Sequence, residues 1–176
     1  FTGGKAFDLV SDEKKLNVLV GQIIRSIRHG FPQESDIKSA RTAITYIKNM
    51  MLKEKEIAKL KPDVPDIDKI YKAYDGELKR QGLMDFDDQM VYAHMILRKI
   101  PEILAWFQKQ YDYICVDEAQ DTSKIQHYII QLLAYENDNL FMVGDEDQSI
   151  YGFRAAYPEA LANFAQDYQD AKILYL

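Results

Sequence analysis

Cysteine is almost absent: Cys115 is the single one in 176 residues. A lone thiol cannot form an internal disulfide, and it suits a reducing cytoplasm, where this chain is expected to reside. The three histidines, His29, His94 and His127, are scattered. No Cys/His set therefore has zinc spacing, and each histidine reads as a surface or packing residue. No apolar run approaches the length of a membrane span, and no signal-peptide pattern opens the chain. Internal repeats and low-complexity tracts are missing as well. These absences exclude a disulfide scaffold, a zinc module, a helical membrane protein and a repeat array. An initiating Met is also lacking, and a chain that opens at Phe1 reads as a processed or excised piece.

What is present suffices for a globular core, with 47% hydrophobic residues. Net charge is −6 but unevenly spread. Residues 1–84 hold 16 Lys/Arg against 12 Asp/Glu, a balance of +4; residues 85–176 hold 6 against 16, a balance of −10. Two units with different tasks are expected, 1–84 and 85–176. The basic one either faces a polyanion or is simply a solvated helical surface.

Residues 1–84 read as helical. Ser11 is placed to cap a helix whose stripe is Leu16, Leu19, Val20, Ile23, Ile24 and Ile27, with Gly30 as its end. A second helix is expected from Ser35 or Asp36, carrying Ile37, Ala40, Ala43, Ile44, Ile47 and Met51. Residues 53–61 suit an exposed helix end, and the prolines at 62 and 65 a break. Ile67, Ile70, Tyr71, Tyr74 and Leu78 then repeat at helical spacing up to Gly82.

The pattern changes near Asp85. Asp85-Phe86-Asp87-Asp88 looks like a capped helix start rather than a metal site, since carboxylates there accept free backbone N–H groups. A helix to about Lys99 follows, then one from Pro101 with Ile103, Leu104 and Phe107 inward. Beyond it strands and helices alternate: strands over 111–116, 140–143 and 172–176, with helices after Ser123 and Pro158. Such alternation predicts an α/β fold with a parallel sheet, whose ligands sit at the carboxyl ends of the strands. Cys115, inside the first strand, reads as a small buried residue.

An acidic loop follows each of the first two strands. The first is Asp117-Glu118-Ala119-Gln120-Asp121-Thr122, the second Gly144-Asp145-Glu146-Asp147-Gln148-Ser149-Ile150-Tyr151-Gly152-Phe153-Arg154. Magnesium prefers hard oxygen ligands and keeps most of its water, so one carboxylate at a rigid strand end suffices, and Asp117 is the candidate. Glu118 can take a proton from an attacking water, as phosphoryl transfer requires. In the second loop Gln148 offers a donor and an acceptor suited to a water or terminal phosphate. Arg154 can fork onto phosphate or carboxylate. Tyr151 and Phe153 share a face of an extended segment, where stacking is worth ~1–3 kcal/mol per base. Gly3-Gly4-Lys5 is not a phosphate loop, because Ala6 follows the lysine and no strand precedes it.

These residues resemble the UvrD-like family of superfamily-one ATP-dependent DNA helicases. Val116-Asp117-Glu118-Ala119-Gln120-Asp121-Thr122 resembles motif II, the Walker B segment, and the second loop resembles motif III. Met84-Asp85-Phe86-Asp87-Asp88-Gln89 is similar to the segment before motif II. The resemblance implies part of a RecA-like P-loop NTPase sheet over 85–176, with an all-helical, DNA-facing inserted subdomain over 1–84. It implies ATP and Mg²⁺ as cofactors, with Asp117 on the metal and Glu118 as general base. It further implies Gln148 at the terminal phosphate, Arg154 bridging the nucleotide site and Glu118, and Tyr151 and Phe153 on single-stranded or partly duplex DNA. Movement on DNA would run 3′ to 5′, in repair or replication. Ala155 stands where the family usually has Gly. The family's Walker A loop, the motif after the last strand and the second motor domain are not in this sequence. An excised piece inactive toward ATP is therefore expected, with a gap or exposed sheet edge that invites self-association. Two other classes fit the acids alone: a magnesium-dependent nuclease using Asp117, Glu118, Asp145 and Asp147, and a non-catalytic DNA- or protein-binding module.

Overall fold

A computed structural model describes residues 6–61, 63–136, 139–145, 156–157, 159, 164–168 and 171–174. The chain divides into two compact units, residues 1–91 and 92–176. Among the described residues no helix is long and apolar enough to cross a membrane.

The first unit is built on three helices: α1 (Glu13–Arg28), α2 (Glu34–Asn49) and α4 (Ile67–Gln81). Each carries an apolar stripe at three- and four-residue spacing. Leu16, Val20, Ile23 and Ile24 of α1 meet Ala40, Ala43, Ile44 and Ile47 of α2 and Ile67, Ile70, Tyr74 and Leu78 of α4 in one core. The α1 cap is Asp12 rather than Ser11, because the Asp12 carboxylate accepts the Lys14 N–H at 2.9 Å. The helix ends at His29, which takes the left-handed conformation (φ 56°) one residue before Gly30. Helix α2 starts just before the expected Ser35, with Asp36 accepting the Gln33 N–H at 2.9 Å. Residues 53–61 break into a short α3 (Glu54–Ile57) and a 3-10 turn (Ala58–Leu60), with Ile57 buried in the core. Gly82 ends α4 at φ 70°, a conformation glycine adopts without a Cβ penalty.

Residues 1–84 are not all-helical, as the resemblance implied, because they also hold a short strand pair that the sequence pattern does not show. β1 (Asp8–Leu9) pairs in parallel with β2 (Leu83–Met84), so the chain entering α1 is clipped to the chain leaving α4. Two-residue strands have no periodicity to read. Helix α5 (Phe86–Lys99) follows.

In the second unit Pro101 sits in the first turn of α6 (Pro101–Gln108), where its missing N–H costs nothing. Phe107 is half exposed rather than inward; the buried position of that turn is Gln108, whose Nε2 donates to the Leu132 carbonyl at 2.9 Å. β3 (Ile114–Val116) and β4 (Leu140–Met142) form a parallel pair in register Ile114↔Leu140, Cys115↔Phe141, Val116↔Met142. Between them lies α7 (Lys124–Ala134), opened by Ser123, whose N–H donates to Gln126 at 2.8 Å. Mixed helices and parallel strands place this unit in the α/β class.

Strand alternation puts Ile114 and Val116 on one face and Cys115 on the other. That second face is open: Cys115 is exposed, and its register partner Phe141 is 59% exposed. Cys115 is therefore a solvent-accessible thiol, not the buried residue that its apolar neighbours suggested. Residues 171–174 form no strand, with Ile173 and Leu174 exposed. They share no ladder with β3 or β4, so their apolar pattern lacks the partner that would make it a strand.

Candidate functional site

The first acidic loop leaves the carboxyl end of β3, and the chain after β4 runs beside it. The ladder is prolonged by Val143 N–H donating to Val116 O and by Ala119 N–H donating to Val143 O, both at 2.8 Å. Between those bonds the chain turns sharply. Glu118 adopts the left-handed conformation (φ 49°, ψ 45°), uncommon for a residue with a Cβ. Asp117 supports that turn, its Oδ1 accepting the Glu118 N–H at 2.9 Å. A 3-10 turn (Ala119–Asp121) follows, closed by Thr122 Oγ1 donating to Ala119 O at 2.7 Å. Ala119 is fully buried, which anchors the turn while Asp117 and Glu118 stay exposed.

Sequence reasoning gave Gln120 no task of its own. Its side chain, with only 2% of the residue exposed, joins the two loops. Nε2 donates to Glu118 Oε2 at 2.6 Å, and Oε1 accepts the Asp145 N–H at 3.0 Å. The signal was weak: an amide two places after an acid in a turn that also holds a buried alanine. Farther on, Tyr157 N–H donates to Thr122 O at 2.8 Å, and Ser123 forms an antiparallel bridge with Ala156. Asp145 and Ala156, the described residues that flank the second loop, are thus both held against the first loop. Gln148, Tyr151, Phe153, Arg154 and Asp147 lie outside the described residues.

The two acidic groups of the chain differ in electrostatics. Asp85 and Asp88 cap α5 reciprocally: Asp88 N–H donates to Asp85 Oδ1 at 2.8 Å, and Asp85 N–H to Asp88 Oδ2 at 3.1 Å. Buried Lys48 donates to Asp85 at 2.8 Å and lies 2.7 Å from Asp88 Oδ1. Tyr74 Oη adds a bond to Asp85 at 2.8 Å, and Arg41 donates to Tyr74 Oη at 3.0 Å. Burial works to raise the Asp85 carboxyl, but the charge and hydrogen bond of Lys48 prevail and hold it below the ordinary range. Asp88 is held above that range, by burial first and also by the charge of Asp85, with Lys48 only partly offsetting them. Tyr74 is driven far up by its burial and by the Asp85 charge. These acids act as caps, as their position before α5 suggested, and Lys48 is the partner the sequence did not point to.

Asp117 and Glu118 have no such compensation: among the described residues no Lys, Arg or His forms an ion pair with either. Nor, among the described residues, do three His, Cys, Asp or Glu side chains gather there as a closed metal cage. One exposed carboxylate on a braced strand end fits a cation that retains most of its water, as Mg²⁺ does. Glu118, held by an amide and open to solvent, fits a group that accepts a proton from water.

A family model described as UvrD/REP helicase N-terminal domain matches residues 4–169. An ATP-dependent DNA helicase PcrA from Leuconostoc citreum is 40% identical over 135 residues, 76% of this chain and 18% of that protein. PcrA helicases from Staphylococcus epidermidis and Staphylococcus aureus are 42% and 40% identical over 107 residues, 61% of this chain and 15% of theirs. The chain thus spans less than a fifth of the length of these relatives.

Proposed function

The chain belongs to the UvrD/REP helicase N-terminal domain family, and from that premise we propose that it is part of an ATP-dependent DNA helicase or translocase. That enzyme couples ATP hydrolysis to 3′-to-5′ movement along single-stranded DNA, in repair or replication. Residues 85–176 belong to its first RecA-like motor domain, and residues 1–84 to a helical insertion that faces DNA. The observation that carries this proposal is the pair Asp117–Glu118: exposed, uncompensated among the described residues, and braced at the carboxyl end of a parallel strand.

In that enzyme Asp117 would hold Mg²⁺, which supplies charge neutralisation for the phosphates. Glu118 takes the proton of the attacking water; its carboxylate, fixed by Gln120, faces solvent rather than a lysine. Gln148 contacts the terminal phosphate, Arg154 links the nucleotide site to Glu118, and Tyr151 and Phe153 stack on bases of the DNA strand. A basic balance over residues 1–84 supports a DNA-facing role. So does the exposed aromatic Phe31, over which Arg25 lies 4.1 Å from the ring centre. These 176 residues contain no Gly-rich phosphate loop ending in Lys-Ser/Thr, so by themselves they hold a base and a metal ligand but no cradle for the β- and γ-phosphates, and they do not turn over ATP.

The test is Glu118→Gln in a full-length protein that carries these residues. DNA-stimulated ATP turnover should fall by about a hundredfold or more, the scale expected for losing a general base, while ATP is still bound. Turnover equal to that of the unsubstituted protein would refute the role of Glu118, and an unsubstituted protein without DNA-stimulated turnover would refute the proposed activity.

A further inference from the structure

We propose that Gln120 is a positioning residue that ties the Glu118 carboxylate to the backbone at Asp145 and so holds the base in place. The proposal rests on Glu118 being the base. Its grounds are the two bonds of one buried amide, 2.6 Å to Glu118 Oε2 and 3.0 Å from Asp145 N–H. The neutral amide donates to the carboxylate through its nitrogen and accepts from the backbone N–H through its oxygen, which fixes which end of the side chain faces which loop. The bond to Glu118 is charge-assisted and short, hence the stronger of the two. The Glu118 side chain is exposed, and among the described residues the bond from Gln120 is what constrains its rotamer. Because Gln120 is 2% exposed, water does not readily replace a lost partner, and breaking one bond disfavours the geometry of the other.

A buried glutamine that serves stability alone would change the melting curve and leave the chemistry untouched. Gln120→Met and Gln120→Glu in the full-length protein separate the two cases. Methionine removes both bonds at similar volume. Glutamate keeps the acceptor for Asp145 but removes the donor to Glu118 and sets a like charge beside it, driving that carboxylate from its place. Turnover by Gln120→Met should fall roughly tenfold to a hundredfold, as for a misplaced catalytic group, with KM for ATP within about threefold. Turnover by Gln120→Glu should fall by at least as much, with the same small change in KM. If both variants, melting as the unsubstituted protein does, keep its kcat, the proposal is overturned. Should neither variant fold, hydrogen exchange of the Asp145 amide in the unsubstituted protein decides: protection supports the tether, and free exchange overturns it. Glu118→Gln run alongside tells the two failures apart. If it keeps turnover, the base assignment and this tether fall together. If it loses turnover while the Gln120 variants behave as unsubstituted, the tether alone falls.

Discussion

Replacing Lys48 by methionine should unfold the helical unit more readily than deleting any surface charge, and its cost should depend on pH in a specific direction. The Lys48 Nζ lies 2.8 Å from Asp85 and 2.7 Å from Asp88, and the three side chains are 1%, 4% and 6% exposed. At an effective dielectric of about 20, each contact is worth roughly 6 kcal/mol of attraction. Desolvation of three charges and repulsion between the two carboxylates offset most of it, so the pair is not a large net source of stability. Removing the cation is different, because it leaves two carboxylates buried without a counter-charge, a loss of about 3–5 kcal/mol.

The pH dependence follows from the two carboxyls. Asp85, held below its ordinary range despite burial, adds stability at neutral pH that is lost as pH falls through its depressed folded value. Asp88, raised by burial and by Asp85, has the opposite sign: its contribution is complete below its unfolded value and lost as pH rises through the folded one. Without Lys48 both acids behave as Asp88 does. The deficit of Lys48→Met should be largest near pH 7 and shrink as pH falls toward about 4, where protonation discharges the pair. Urea unfolding followed by the helical circular dichroism signal at both pH values measures it. Adding Asp85→Asn and Asp88→Asn to Lys48→Met should recover much of the loss, since no charge then remains to be compensated. A deficit at pH 7 below about 1 kcal/mol, the scale of an exposed ion pair, or one that does not shrink on acidification, would refute the account.

Gly82→Ala should destabilise the chain by about 1–2 kcal/mol from its left-handed backbone alone, since an added Cβ would meet nothing closer than the Ala6 carbonyl at 4.0 Å; a neutral effect on thermal unfolding would argue against the φ of 70°. The open face of β3 and β4, with Tyr113 74% and Phe141 59% exposed, should make the 176-residue chain self-associate as its concentration rises. Sedimentation velocity on Phe141→Glu should then shift the population toward monomer, and a monodisperse monomer of the unsubstituted chain at all concentrations would sink this expectation.

How much of this was legible depended on whether the information is local. The α1, α2 and α4 stripes recur every three or four residues, so Leu16, Val20, Ile44, Ile47, Ile70 and Tyr74 could be picked as core before any packing was known. The end of α4 was equally readable, because glycine alone tolerates φ 70° without strain. The acid pair at the end of β3 was found for the same reason, an apolar run followed at once by Asp117 and Glu118. Tertiary facts stayed hidden. Lys48 lies among helix-forming residues and looks like any solvated lysine until α2 packs beside the start of α5. Gln120 acts across a gap of 25 residues to Asp145. Cys115 and Phe141 are apolar in a strand, and no local pattern says that one face of that strand is left uncovered.

The two acidic groups look alike in sequence and differ in what their charges meet. Asp85-Phe86-Asp87-Asp88 and Asp117-Glu118 both open a helical turn, and each includes a carboxylate that accepts a backbone N–H. Their charges meet different ends. In the first group a buried lysine, a tyrosine hydroxyl and reciprocal caps occupy the carboxylates and close them to solvent. Another cation there would have to displace Lys48 and strand its charge, so the group is spent on stability. In the second, one amide fixes Glu118 while its charge remains exposed and unpaired among the described residues. That arrangement gives up the stability an ion pair would bring and keeps a positioned negative charge free to act on something from outside. Lysine introduced within reach of Asp117 and Glu118 should therefore stabilise the fold slightly and, if the proposed roles hold, lower ATP turnover of the full-length protein, whereas loss of Lys48 destabilises the fold.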